Sequence, residues 1–385
     1  MSYQHYFGET HNQIRQSAQR FVAQEILPHI DEWEEAGTFP LELYSKTAAA
    51  GFFGIGYPES LGGSEGDVFQ KITFVEEIMR SGSGGLAASL GSLDIGLPPV
   101  VKFASEALKQ RIAPAVINGE KICALAITEP GAGSDVANIR TKATKEQGAD
   151  GKAYYRVNGS KMFITSGIRA DYYTTAVRTG EAGYGGVSLL LIEKGTPGFS
   201  TGRNLKKMGW WCSDTAELFF EDCLVPAENL IGAENAGFAM ITSNFQMERL
   251  TLAVMANMTS QLALEACLDY VKQRNAFGKP LAGFQTIRHK LADMATQLEA
   301  SKEFTYRCAA RIDSGEMIFK EISMAKNIAT DASDKITYDA VQLFGGMGFM
   351  RESLVERLFR DNRILSIGGG TREIMNEIIC KQMGL

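Results

Sequence analysis

No C-x-x-C pair and no histidine cluster occurs in this sequence. Its six cysteines, Cys123, Cys212, Cys223, Cys267, Cys308 and Cys380, are scattered, and there are only four histidines. That argues against a zinc site or a disulfide framework and for a reducing compartment. Excess positive charge is also missing: the net charge is −6, with no dense Lys/Arg run. A nucleic-acid partner is therefore not expected, because phosphate binding needs a basic face. No apolar run is long enough to span a bilayer, so no membrane insertion is expected. The N-terminal MSYQHYFGETHNQIRQ has neither a signal-peptide apolar core nor the Arg-rich, acid-poor character of a transit peptide. The expectation is a cytoplasmic protein, with a processed mitochondrial-matrix protein as the alternative. G-x-G-x-x-G and G-K-S/T are absent too, so neither a Rossmann site nor a P-loop is indicated.

What is present is a chain of 385 residues, 45% hydrophobic and 22% charged, long enough for two or three domains. Residues 1–120 read as helices and loops. Ile14, Ala18, Phe21, Val22 and Ile26 fall at helical spacing before Pro28. DVFQKITFVEEIMRS reads as a second amphipathic helix, and PPVVKFASEALKQRIAPAVING as a third. Over residues 121–232 the period changes to that of strands, rich in β-branched and aromatic residues and bounded by Gly, Pro and Asn. Asn158-Gly159 predicts a hairpin turn, and the whole block a small barrel or sandwich. Residues 233–385 return to helix: one very long helix over GFAMITSNFQMERLTLAVMANMTSQLALEACLDYVKQRNAF, then three more, an antiparallel four-helix bundle. The fold class is α+β, in the order helical, β, helical.

Several motifs are weak when taken singly. TEPGAGSD follows a strand run and offers Thr128, Gly133 and Ser134 at a turn, but a lone G-x-G-S is usually a surface loop. GSKMFITSG can set Phe163 and Thr165 beside a flat cofactor, or be a plain strand. RNAFGKPLAGFQ places Arg274 and Gln285 around a Gly/Pro loop, where Arg274 alone reads as a solvated helix C-terminus. QLFGGMGFMRE is a Gly-rich break between helices. Taken in order, together with SIGGGTREIM and DTAELFFEDCLVPAENLIG, these stretches resemble the acyl-CoA dehydrogenase family over nearly the whole chain.

The resemblance implies FAD as cofactor and an acyl-CoA as substrate. Leu125, Ile127, Thr128, Gly133 and Ser134 would line the flavin, with Ser134 also touching the acyl-CoA. Phe163, Ile164 and Thr165 would cover it, although many members carry Trp where this chain has Phe163. Arg274, Phe277, Gln285, Gln342, Leu343, Gly345 and Gly346 would hold the FAD of a neighbouring subunit. A homodimer or homotetramer is therefore implied. Thr371 and Glu373 would complete the site, and Phe245, Met247, Arg249 and Gly370 would contact substrate. Electrons would pass to an electron-transfer flavoprotein.

One expected group is missing. Many family members carry their catalytic Glu in the last Gly-rich turn, where this chain has Gly369 within Gly368-Gly369-Gly370. Long-chain and isovaleryl members carry it instead before an Arg-Leu in the long helix, and Glu248 in NFQMERLTLA matches that pattern. The residues agree: on a helix Glu248 shares a stripe with Ile241, Phe245, Leu252 and Met255, and the positions four away are Asn244 and Leu252, neither of them a cation. A buried structural Glu paired with a distant Arg is the plainer reading of that stripe. With the turn Glu absent, Glu248 is expected to take the α-proton of the thioester, its carboxyl raised by burial. The β-hydrogen would leave as hydride to the flavin. The Gly369 backbone N–H would stabilise charge on the thioester oxygen, and the bare Gly369 would leave room for a branched acyl chain. The expected product is a trans-2-enoyl-CoA from a 3-methyl-branched (isovaleryl- or citronellyl-like) or medium/long-chain substrate. The alternatives are a non-catalytic flavin- or acyl-CoA-binding protein on the same fold, and an oxygen-using acyl-CoA oxidase.

Overall fold

The computed structural model of the chain describes residues 3–385. Eight α-helices precede the sheet: α1 (Glu9–Phe21), α2 (Ile30–Ala36), α3 (Glu42–Ala49), α4 (Val68–Met79), α5 (Gly84–Leu90), α6 (Leu93–Gly96), α7 (Pro98–Phe103) and α8 (Glu106–Ile117). The first amphipathic stretch is broken as expected near Pro28: α1 runs into one π-helical turn, Val22–Ile26, and α2 starts after the proline. PPVVKFASEALKQRIAPAVING is two helices rather than one. Ala104 is extended (ψ 164°), and Ser105 caps α8 by accepting from the Leu108 N–H.

The sheet has eight strands: β1 (Cys123–Ala126), β2 (Lys142–Gln147), β3 (Ala153–Thr165), β4 (Tyr172–Arg178), β5 (Val187–Glu193), β6 (Phe199–Thr201), β7 (Thr215–Pro226) and β8 (Leu230–Ile231). Their order is β6-β7-β3-β2-β4-β5-β8, with β1 parallel to β4. Asn158-Gly159 is not a hairpin turn. It lies inside β3, which is paired on both sides, at a bulge between Val157 and Gly159 against β7. Asn158 is spent across that bulge, where its Oδ1 accepts from the Asp222 N–H at 2.8 Å. The β2–β3 turn is at Gly148–Lys152, closed by the Gly148 N–H donating to the Lys152 carbonyl. Two long neighbours hold β3 extended, which overrides the local Asn-Gly preference.

After the sheet come α9 (Gly237–Gln273), α10 (Gln285–Asp313), α11 (Phe319–Phe344), α12 (Leu354–Asn362) and α13 (Arg372–Gln382). That is one helix more than the sequence suggested: α12 is short and carries Glu356, Arg357, Arg360 and Asp361 among its apolar residues. Arg360 is nonetheless buried, ion-paired to Glu34 and Glu356. The 37 residues of α9 make it about 55 Å long at 1.5 Å per residue. Every residue from Leu252 to Ser260 is buried, so α9 is the central rod of the bundle rather than an amphipathic surface helix. Polar groups in this buried stretch find partners inside the bundle; the Asn257 amide, for example, donates to Thr305 Oγ1 at 3.0 Å. The largest apolar core runs without a break from Ala18 through the sheet to Ile241 at the start of α9. The N-terminal helices, the sheet and the α9 N-terminus therefore meet around one region.

Candidate active site

Glu248 lies on α9, one helical turn before Leu252. The turn Gly368-Gly369-Gly370 faces it. Gly369 has φ +64° and Gly370 φ +98°, left-handed conformations that favour glycine. A Cβ placed on Gly369 would sit 3.4 Å from Glu248 Oε1 and 2.6 Å from Leu252 Cδ1. The carboxylate thus occupies space beside the turn that a side chain at position 369 would contest. Glu248 Oε2 is shielded from water and has no hydrogen-bond partner, and no cation lies within ion-pair distance of the carboxylate among the described residues. Burial raises its pKa above the usual carboxyl range, opposed by the charges of Arg249 and then Lys326. An unpartnered carboxylate with a raised pKa at the edge of a cavity has the properties of a general base.

The turn itself is held from behind. Arg249 Nε donates to the Gly369 carbonyl at 3.4 Å, and Lys326 Nζ of α11 to the Gly370 carbonyl at 2.7 Å. Thr371 caps α13, its Oγ1 accepting from the Ile374 N–H. No internal acceptor takes the Gly369 N–H among the described backbone bonds. A donor is thereby left beside the base, the arrangement that charge on a thioester oxygen requires.

Glu248 and Met247 line a cleft of about 300 Å³ between α9, α4 and α5–α7. Ile72, Val75, Ile78, Leu90, Val254 and Met255 make it predominantly apolar, as an acyl chain needs. Lys71, Asp94 and Tyr57 form a polar section of the wall, with Lys71 Nζ 2.6 Å from Asp94 Oδ1. Phe245 is not part of this lining; its ring lies under the Arg249 guanidinium at 5.5 Å. Ser134 and Gly370 are not in the lining either.

The two β-block segments picked out in the sequence are joined directly: the Met162 N–H donates to the Thr128 carbonyl at 2.8 Å. Lys161, wholly buried, binds the Ile127 carbonyl at 3.0 Å and Glu129 at 2.8 Å, and Glu129 also accepts from the Arg140 and Thr141 N–H groups. This Lys161–Glu129 pin fixes the TEPGAGSD loop, and the sequence reading missed it. Next along β3 is a second bulge, between Lys161 and Ile164. There Phe163 takes φ +61° and is 61% exposed. A bulky residue in that conformation is strained, and here the strain turns an aromatic ring outward. Thr128 and Thr165 are half-buried, and Gly133 and Ser134 exposed, so all four can face a ligand. Ile127 and Ile164 are buried and can offer only backbone, while Leu125 is half-buried.

A second group lies at the other end of α9. Arg274, Phe277 and Gln285 are exposed, Phe277 being 96% exposed. Tyr270 stacks on Phe344 at 4.1 Å and donates to its carbonyl, bringing this loop beside Gln342, Leu343, Gly345 and Gly346. Nothing lies within 4 Å of a Cβ on Gly345 or Gly346, so this surface is open for a backbone-hugging ligand. It is set apart from the first group: Arg274 follows the end of α9, 26 residues beyond Glu248, about 39 Å along an ideal helix. Glu373 is exposed in the first turn of α13. The donors, glycines and turned-out rings thus form two separate surfaces on the chain, one at Thr128, Phe163 and Thr165 and one at Arg274 and the Gly345–Gly346 turn.

The acyl-CoA dehydrogenase sequence models match in order: the N-terminal domain at residues 8–120, the middle domain at 124–223 and the C-terminal domain at 235–384. An acyl-CoA dehydrogenase of Bacillus subtilis is 40% identical over 96% of this chain and 97% of its own. The mitochondrial long-chain specific acyl-CoA dehydrogenase of Sus scrofa is 39% identical over 98% of this chain and 87% of its own. The crystal structure of an acyl-CoA dehydrogenase from Geobacillus kaustophilus superposes with a TM-score of 0.95 at 39% identity, covering 99% of each chain. The chain belongs to the acyl-CoA dehydrogenase family, the FAD-dependent oxidoreductases whose three-part fold it carries from end to end.

Proposed function

We propose that this protein converts an acyl-CoA thioester to its trans-2-enoyl-CoA with Glu248 as the base. Its substrate is a 3-methyl-branched (isovaleryl- or citronellyl-like) or medium/long-chain acyl-CoA, and its electrons go on to an electron-transfer flavoprotein. The observation that carries this reading is the Glu248 carboxylate packed against the bare Gly369 turn at the edge of the apolar cleft. The acyl chain lies in the cleft between α4 and α9. Glu248 takes the α-proton, and the Gly369 N–H donates to the thioester oxygen as charge builds on it. Thr128, Phe163 and Thr165 hold the flavin ring, and FAD, when bound, supplies the two-electron acceptor for the β-hydrogen. The space beside Gly369 is filled by Leu252 and Glu248 rather than left empty, so the expected room for a branch at the turn is not there, and the branched reading rests on the placement of the carboxylate on α9.

We also propose a cytoplasmic homodimer or homotetramer with shared FAD sites. The described cysteines are all free, which suits a reducing compartment. The separation of Glu248 from Arg274, about 39 Å along an ideal helix, supports a site to which one chain brings Glu248 and another the Arg274 loop. The test is anaerobic bleaching of the bound flavin by isovaleryl-, citronellyl-, octanoyl- and palmitoyl-CoA, in wild type and Glu248→Gln. Bleaching of the wild type by one class and of the variant by none is expected. A wild type that no acyl-CoA bleaches would turn the reading to a flavin- and thioester-binding protein without turnover.

A further inference from the structure

Lys326 has no role in the reading above, yet it is the most unusual charged group near the site. It sits on α11, 1% exposed. Buried lysines are rare, and those that occur have a partner. No carboxylate lies within ion-pair distance of Lys326 among the described residues; its ammonium donates to the Gly370 carbonyl. The two charges that act on it are those of Arg249 and Glu248, and burial lowers its pKa to about 8.

Several charged groups on the elements around it are engaged elsewhere, and Glu373, Glu377 and Lys381 of α13 are exposed. Arg372 of α13 pairs with Asp331 of α11. Arg311 of α10 pairs with Glu316 and Glu321, and Arg360 of α12 with Glu34 and Glu356. Across the cleft on α4, Glu76 and Glu77 pair with Arg15, and Lys71 with Asp94. Glu248, Arg249 and Lys326 form a triad of one negative and two positive charges, the cations buried and the carboxylate half-buried with its Oε2 shielded from water. The two cations are fixed to successive carbonyls of one turn.

We propose, on the reading that Glu248 is the base, that Lys326 is a positioning residue of the dehydrogenation site, its ammonium clamping the Gly370–Thr371 peptide and supporting the Glu248 carboxylate. Peptide planarity makes the clamp effective: fixing the Gly370 carbonyl fixes the N–H on the far side of that bond, and Arg249 does the same for the Gly369–Gly370 peptide. Together they fix the Gly370 and Thr371 N–H groups and the carbonyl side of Gly369, whose own N–H lies on the neighbouring Gly368–Gly369 peptide and is constrained by the clamps only through the Gly369 torsions. Loss of the Lys326 proton weakens both effects.

The test compares wild type, Lys326→Met and Lys326→Arg as FAD-loaded proteins, using the thioester that bleaches the wild type. Lys326→Met is expected to keep FAD and KM within about twofold and to lose tenfold or more in kcat. Its acidic limb in kcat/KM should move up by about one pH unit, since a cation near Glu248 is gone. The wild type should lose activity as pH rises through about 8, where Lys326 deprotonates. Lys326→Arg should restore most of kcat and abolish that alkaline limb, because guanidinium does not titrate there.

A second readout needs no substrate. The Tm difference between Glu248→Gln and its parent tracks Glu248 ionisation against pH, and it should shift upward in the Lys326→Met background. If Lys326→Met folds poorly, the Lys326→Arg alkaline limb decides alone. An unmoved acidic limb in Lys326→Met, or an alkaline limb that survives in Lys326→Arg, overturns the proposal. Thioesters that fail to bleach the wild type, with the Tm shift intact, overturn the dehydrogenase reading and leave the Lys326–Glu248 coupling standing.

Discussion

Glu248 is a residue that costs the fold something. Its pKa is raised by burial, so as pH rises the unfolded chain gives up this proton before the folded one does. Stability at this site is therefore lost from the ordinary carboxyl range upward, and the loss is absent at low pH where both states hold the proton. Glu248→Gln should accordingly raise the apparent Tm by about 1–3 °C at pH 8 and hardly at all at pH 4, as read by differential scanning fluorimetry. The same substitution should leave FAD bound and cut turnover at least about 100-fold; undiminished turnover would remove Glu248 as the base. Gly369→Ala tests the other side of the contact. Its Cβ would have to accept φ +64° and sit 3.4 Å from Glu248 Oε1. A loss of about 1–2 kcal/mol in urea unfolding is expected, with a fall in kcat of tenfold or more as the carboxylate is displaced. Leu252 Cδ1, at the end of a flexible side chain, can move aside, so the effect on activity comes through the base.

At the scale of elements, β3 shows both how far the sequence could be read and where the reading stopped. The run of β-branched and aromatic residues made the strand legible, but its length was not. Asn158-Gly159 is a local hairpin signal, and only the pairing of β3 with both β2 and β7 carries the chain straight through it. Long-range pairing leaves no mark in a local window. Glu248 was legible as a candidate because an absence met a presence: a turn with no acid, and an apolar helix stripe with one. Lys326 was not, because a lysine four residues after Ile322 and three before Ala329 looks like the snorkelling edge of a helix. The small residues Ser323, Ala325 and Ser333 around it were the available sign that α11 is packed closely there. The bulge at Phe163 was invisible for the same reason as the through-strand. It supports a prediction of its own. Phe163→Gly removes the φ +61° strain and the exposed ring together, so apoprotein stability should change by no more than about 1 kcal/mol. FAD affinity, measured by fluorescence quenching, should fall tenfold or more. Phe163→Trp should retain FAD. Equal FAD affinity in all three proteins would mean that the ring does not cover the flavin.

On the scale of the whole molecule, the surface is unfinished. Phe277, Met347, Phe349 and Met350 are exposed around the Arg274 loop and the Gly345–Phe349 turn, apolar side chains of the kind that a partner surface covers. The same region holds the cofactor-type glycines and Arg274, at the opposite end of α9 from Glu248. If two copies pack so that the Arg274 end of one completes the flavin site of the other, each site takes Glu248 from one chain and Arg274 from its partner. Crossed defects separate this from a site contained in one chain. Glu248→Gln should have FAD but no base, and Arg274→Ala a base but weakened FAD binding, so each alone is expected to be inactive. Co-expressed, half of randomly formed dimers carry one of each. In such a dimer one shared site inherits both defects and the other inherits neither. About a quarter of wild-type activity should return, while FAD content stays at the mean of the two parents in either arrangement. Sites contained within single chains would each keep one defect, and the mixture would stay as inactive as its parents.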